Sequence, residues 1–237
     1  MKKFFLFVFA LSALSGLHAE QPGDWARYGR YEKQNAELDG KPVEVVFMGN
    51  SITEGWVKID PDFFVKNGFV GRGISGQTTL EMLARFRNDV IGIKPEAVVI
   101  LAGINDIAQN KGPISLENIF GNIVSMCELA RHNGIRVVLC SVLPCDHFAW
   151  RPSIDPGPKV VALNEMLKRY AARSKIVYVD YHTAFDNGQG GLTERFSKDG
   201  CHPTLYGYSL MEPMVADGIN KALRTRKVRY VTPVPLQ

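Results

Sequence analysis

Val43-Glu44-Val45-Val46-Phe47-Met48-Gly49-Asn50-Ser51-Ile52-Thr53-Glu54-Gly55-Trp56 is the stretch on which the fold turns. Residues 43–48 are apolar and β-branched with a single interruption, as in a strand covered on both faces. Gly49 and Asn50 end that run, and Ser51 falls where strand gives way to helix. Runs of the same kind recur at residues 97–101, 136–142 and 176–181, with a shorter one at Phe69-Val70. Helical periodicity fills the gaps. Thr79 opens a helix predicted to turn Leu80, Leu83, Phe86 and Val90 inward, and Ser115 caps one with Ile119, Ile123, Met126 and Cys127 inward, stopped by Gly134. A further helix is expected around residues 161–170. A last one is expected over 205–223, kinked or split at Pro213. Strands alternating with helices in this way imply a parallel sheet with helices on both faces.

Composition agrees with a folded globular unit. The chain has 237 residues, 46% apolar and 22% charged, with no repeat or low-complexity segment, so residues 20–237 read as one domain. A formal net charge of only +4 gives no concentrated basic face and hence no nucleic-acid partner. Lys2-Lys3, the apolar run to Leu14 and the small residues up to Ala19 have the layout of a secretory signal peptide over residues 1–19. Leu17 fits poorly three residues before a cut after Ala19, which leaves the cleavage position open. Export, periplasmic or extracellular, follows as the expectation, with no membrane span left after cleavage. Residues 20–42 then form an N-terminal extension, in which Trp25, Tyr28 and Tyr31 are spaced to lie on the domain as one stripe. Cys127, Cys140, Cys145 and Cys201 allow three complete pairings, and the sequence does not choose among them. The basic run from Arg224 to Arg229 reads as the positive end of the last helix.

With strand order 2-1-3-4-5, ligands gather at the carboxyl ends of the strands, where the first three loops are neighbours. Ser51 after strand one offers a hydroxyl at the sheet edge, beside a helix N-terminus able to face a developing negative charge. Ser51-x-x-Glu54 equally fits a capping box, with the serine as a mere cap. After strand two, Gly71-Arg72-Gly73-Ile74-Ser75-Gly76 matches G-x-G-x-x-G. A dinucleotide site would need a firm first strand before it and an acid at the next strand end, and Asp89 falls in a helix instead. The run then reads as a turn, or as a loop whose bare N–H groups approach a substrate oxygen. After strand three, Asn105 in Gly103-Ile104-Asn105-Asp106 is either a turn former or an uncharged donor. Near the chain end, Asp199 stands three residues before His202, a spacing at which a carboxylate can fix an imidazole tautomer. Among other histidines, His132 lies at a helix end and His182 lacks a matched acid. His147 adjoins Asp146, a spacing at which side chains seldom face each other.

Together Gly49-Asn50-Ser51, Gly76, Gly103-x-Asn105-Asp106 and Asp199-x-x-His202 resemble the SGNH (GDSL-type) hydrolase family, over nearly all the chain from Val43 to the final helix. The resemblance implies a flavodoxin-like three-layer α/β/α sandwich around a five-stranded parallel sheet. It implies Ser51 as nucleophile, His202 as base and Asp199 as the acid that orients it. The implied oxyanion hole is formed by the Ser51 N–H, the Gly76 N–H and the Asn105 side chain, with no cofactor or metal. One departure is Asn50, where the family usually carries Asp, which puts the hydrogen bonding around the serine in question.

The reaction so implied is acyl transfer, with short acyl esters as substrates and O-acetyl groups on carbohydrate foremost. Lysophospholipid or other short-acyl esters are the alternative. Trp150 and Arg151, in the loop after strand four, suit a sugar face and an acidic group, while Trp150 fits equally well as the anchor of its loop. Two other classes remain at this stage. One is a flavin-mononucleotide carrier holding phosphate near Ser51-Ile52-Thr53, against which Glu54 stands. The other is an inactive sugar-binding module.

Overall fold

A computed structural model describes residues 23–225. The signal-peptide segment 1–19 and the basic residues 226–229 lie outside the described residues. After a single 3₁₀ turn, Tyr28–Tyr31, the elements run α1 (Glu32–Glu37), β1 (Val45–Gly49), α2 (Ser51–Ile59), α3 (Pro61–Asn67), β2 (Phe69–Gly73), α4 (Thr79–Phe86), β3 (Ala97–Leu101), α5 (Ile104–Ile107), α6 (Leu116–His132), β4 (Arg136–Cys140), α7 (Gly157–Ser174), β5 (Val177–Val179), α8 (Tyr181–Phe185) and α9 (Leu205–Leu223).

The strands form one parallel sheet in the order β2-β1-β3-β4-β5. β1 is an interior strand: Val46 pairs with Val70 on one side and Val98 on the other. Every residue of β1 and β3 is buried, as two-sided helix cover requires. α2, α3 and α9 pack together on one face, and α4, α6 and α7 on the other. Trp56 of α2 stacks on Tyr208 of α9 with ring centroids 5.2 Å apart, so the two helices of the first face lock together. The result is the flavodoxin-like three-layer α/β/α sandwich with a five-stranded parallel sheet.

Several local expectations need correcting. β2 runs to Gly73 rather than stopping at Val70, so Gly71 and Gly73 are strand residues and not part of a phosphate-type turn. Gly73 is required there by close approach: a Cβ would strike the Glu54 backbone N–H and the Asn50 carbonyl at the start of α2. α4 presents Met82 and Phe86 to the core and Val90 follows them just beyond its end, but Leu80 is exposed and Leu83 only partly covered. The buried face is rotated because Arg85 and Asp89 occupy it as an ion pair. The backbone widens to a π turn over Arg87–Ile91. β5 ends at Val179, and Tyr181 begins the short helix α8 instead.

α9 runs unbroken through Pro213. Its packing on β4, β5 and α2 outweighs the one backbone bond that proline removes. Of the N-terminal aromatic stripe only Tyr31 is buried, its hydroxyl donating to the Gly73 carbonyl. Trp25 is 53% exposed and Tyr28 is also at the surface. Segment 23–42 contacts the rest of the protein through polar bonds: Gln77 Nε2 donates to the Ala26 carbonyl (2.8 Å), and Arg72 Nε to Asn35 Oδ1 (2.8 Å).

Candidate active site

The carboxyl ends of β1, β2 and β3 and the turn before α9 meet at one rim. Asn50 is the N-cap of α2, its Oδ1 accepting the Ile52 N–H at 3.0 Å. Asparagine thus supplies the capping oxygen that an aspartate would, while its Nδ2 is buried without a hydrogen-bond partner. Ser51 is not the cap. It is the first helical residue, with its hydroxyl free for other contacts. Tyr208 Oη donates to the Ile52 carbonyl at 2.8 Å, which fixes the start of this helix against α9.

Ser51 Oγ lies 2.8 Å from His202 Nε2, across 151 positions of sequence. His202 Nδ1 lies 2.7 Å from Asp199 Oδ2. The other carboxylate oxygen, Oδ1, accepts the backbone N–H groups of His202 (2.7 Å) and Cys201 (3.0 Å) and the Ser197 hydroxyl (3.1 Å). Partial burial alone would raise the Asp199 pKa. The N–H of His202, its ring and the Cys201 N–H outweigh that and hold the carboxyl at about 2. Asp199 is therefore ionised at neutral pH and keeps the His202 Nδ1 proton facing it, which leaves Nε2 as an acceptor for the Ser51 hydroxyl hydrogen bond.

The glycine loop and the Asn105 loop are tied to each other. Asn105 is buried, and its Nδ2 donates one hydrogen to the Gln77 carbonyl at 3.0 Å, leaving the second N–H of the amide. Asn110 Nδ2 donates to the Gly76 carbonyl at 3.3 Å. Gly76 has φ +80°, a conformation natural only to glycine, and no neighbour crowds its Cβ position. Asp106 holds the two loops from beneath: its carboxylate accepts the Thr79 N–H (2.9 Å) and hydroxyl (2.7 Å). Burial pushes the Asp106 pKa up to about 6, against the pull of those Thr79 bonds.

Glu54 is a further organiser. Serine-x-x-glutamate spacing suggests a capping role, but Glu54 instead reaches across to the glycine loop. It accepts the Ser75 N–H at 2.9 Å and the Ser75 hydroxyl, and pairs with Arg30 (3.2 Å) and Lys58 (3.1 Å). Burial opposes its ionisation, yet the Ser75 and Lys58 bonds lead a set that lowers its pKa to about 2. Arg85 is the other residue that sequence reading passes over. Fully buried, it donates to Gln77 Oε1 (2.6 Å), Asp89 Oδ2 (2.8 Å) and the carbonyls of Gly49 (3.0 Å) and Arg72 (2.9 Å). One guanidinium thereby joins the ends of β1 and β2 to the glycine loop. Its only sequence signal is the i, i+4 spacing to Asp89, which ordinarily marks a solvated pair.

In the loop after β4, Trp150 is 41% exposed, with its ring centroid 6.1 Å from that of His202. Buried Phe148, 5.0 Å from the Trp150 ring, anchors this loop, so the anchoring role does not fall to Trp150. Arg151 is exposed at the next position, its backbone N–H on the Phe148 carbonyl. His147 does face its neighbour: Nδ1 lies 2.7 Å from Asp146 Oδ1, because the loop turns both side chains to the same side.

A serine, an imidazole and a carboxylate in hydrogen-bonded series at the strand ends of a doubly wound sheet define a hydrolase of the acyl-transfer class. Residues 47–210 match the family model for the GDSL-like Lipase/Acylhydrolase family. The chain belongs to that family, and with it to the carboxylic ester hydrolases. It is 30% identical over 164 residues to Esterase TesA of Pseudomonas aeruginosa, covering 67% of this chain and 74% of TesA. Its fold matches the crystal structure of a Bacteroides fragilis protein described as an acylhydrolase, with 51% identity, TM-score 0.81, and 84% and 99% of the two chains covered. It also matches a GDSL-like lipase of Bacteroides thetaiotaomicron, with 48% identity, TM-score 0.80, and 83% and 98% covered. Among the described residues, no helix is long and apolar enough to cross a membrane.

Proposed function

We propose that this protein is a serine esterase that removes short acyl groups, foremost O-acetyl groups on carbohydrate, through an acyl-enzyme. The observation that carries this reading is the unbroken series Ser51 Oγ to His202 Nε2 (2.8 Å) and His202 Nδ1 to Asp199 Oδ2 (2.7 Å). Ser51 attacks the ester carbonyl while His202 Nε2 takes the hydroxyl proton, and Asp199 stabilises the imidazolium that forms. Negative charge on the carbonyl oxygen is met by the Ser51 N–H at the start of α2, the Gly76 N–H and the remaining Asn105 N–H. When the tetrahedral intermediate collapses, the carbon–oxygen bond to the alcohol breaks and that alcohol leaves with the proton held by His202. Water, deprotonated by the same nitrogen, then releases the acid and restores Ser51.

Carbohydrate is favoured as the alcohol half because an exposed indole, Trp150, stands beside His202, where a sugar face would stack. Arg151 at the adjoining position suits an acidic substituent. The export expected from residues 1–19 gives such an enzyme access to glycans outside the cytoplasm.

The test is a panel of nitrophenyl esters of increasing acyl length, acetylated sugars and lysophospholipids, run with wild type and Ser51→Ala. Acetyl esters should be turned over fastest, and Ser51→Ala should lose at least ~10³-fold in kcat with an unchanged melting temperature. Retained hydrolysis in that variant overturns the assignment. Preference for lysophospholipid overturns the carbohydrate reading alone.

A further inference from the structure

Two of the four cysteines meet next to the catalytic turn. Cys201 lies between Asp199 and His202 in sequence, and its thiol packs directly on that of Cys145, in the loop after β4. Both residues are buried. The contact is fixed from both sides. Cys145 Sγ donates to the His147 carbonyl at 3.2 Å, and its loop is anchored by Phe148. The Cys201 N–H is held by Asp199 Oδ1, and Gly200 sits so close to the His147 ring that an added Cβ would lie 2.8 Å from it. Cys127 and Cys140 are elsewhere, on α6 and β4, each fully enclosed in the core.

We propose that Cys145 and Cys201 are the site of a disulfide that ties the Trp150 loop to the Asp199–His202 turn under oxidising conditions. Of the six single bonds open to four cysteines, the packing selects this one and leaves Cys127 and Cys140 as thiols. In the reaction the two S–H bonds break and one S–S bond forms. Two electrons reduce the S–S bond of an oxidant, here a small-molecule disulfide such as oxidised glutathione, and the two protons end on the two thiols released from it. The link closes a loop that spans α7, β5 and α8, so it restricts the unfolded chain strongly. It also bridges the two segments that carry Trp150 and His202, whose rings are 6.1 Å apart, so it holds the substrate-facing aromatic in register with the base.

Within the folded protein the neighbouring Cys145 thiol and burial hold the Cys201 pKa well above the ordinary thiol range, which makes it a slow nucleophile there. The experiment therefore refolds the full chain from denaturant, in parallel, in reduced and in oxidised glutathione. The oxidised sample should show two fewer reactive thiols when denatured again and a single cross-linked peptide pair containing Cys145 and Cys201. Its melting temperature should be higher by about 5–10 °C than that of the reduced sample. In Cys145→Ser and in Cys201→Ser, refolded the same way, this peptide pair and the gain in melting temperature should both vanish. Four reactive thiols after oxidative refolding, a bond through Cys127 or Cys140, or glutathione adducts in place of the internal link would each overturn the proposal. Ester hydrolysis by the reduced sample is scored separately, so loss of the disulfide idea does not touch the Ser51 assignment.

Discussion

Arg85–Asp89 and His202–Asp199 each join an aspartate to a nitrogen base four or three residues away, yet the two pairs sit in opposite environments. Arg85 and Asp89 are 0% exposed, and the guanidinium also binds Gln77 and two strand-end carbonyls. The side chains of His202 and Asp199 are 39% and 43% exposed, and one imidazole nitrogen faces Ser51. Burial with every donor engaged makes the first pair a rivet beneath the loops. Partial exposure with one nitrogen turned to a hydroxyl suits the second to the proton transfer proposed for it. Both pairs set a nitrogen base against an aspartate a few residues away, and burial against partial exposure separates their roles.

That contrast can be broken by mutation. The largest expected effect is Asp199→Asn, which should lower kcat by ~10⁴-fold on a nitrophenyl ester while costing less stability than Arg85→Leu, because the tautomer is disturbed more than the fold. An equal loss of stability and activity would erase the distinction. Next comes Arg85→Leu, expected to cost about 3–5 kcal/mol in urea unfolding because it leaves Asp89 buried without its counter-ion. Replacing Asp89 by Leu in the same chain should recover part of that cost, and no recovery would mean that the carbonyl bonds of Arg85 matter more than its charge.

The smallest effect expected is on acid stability, where the carboxylates of the site carry opposite signs. Asp106, raised to about 6, binds its proton more readily when folded, so stability should grow as pH falls through 6. Asp199 and Glu54, both held at about 2, retain their charge when the unfolded chain would protonate. Their contribution is present above about pH 4 and is lost as the pH drops from there to about 2. Urea melts at spaced pH values should show a maximum in the weakly acidic range, whereas a steady fall from pH 6 downward would contradict the Asp106 assignment.

Much of the architecture was legible because its signals are local. The apolar runs mark the strands to within one to three residues at most of their ends, and Ser115 and Thr79 mark the helix starts where they occur. Reading fails where a residue's partner is distant. Leu80 was expected inside because it is apolar, but a buried ion pair claimed that face of α4. The capping-box alternative keeps Glu54 on its own helix, but it crosses to Ser75. Phe69-Val70 was expected to be the whole of a strand, although glycines 71 and 73 extend it, since only glycine permits the approach of α2.

By itself the sequence determined the order of strands and helices, the loops that carry Ser51, Gly76, Asn105 and His202, and the three-residue step from Asp199 to His202. These follow from periodicity and from turn chemistry, which act over a few neighbouring residues. Only the tertiary structure decided that Ser51 Oγ comes within 2.8 Å of an imidazole 151 positions away, that Trp150 stands beside that ring, and that Cys201 faces Cys145. Meetings of that kind depend on how helices pack on a sheet and where long loops return, and no short-range preference of the chain encodes them.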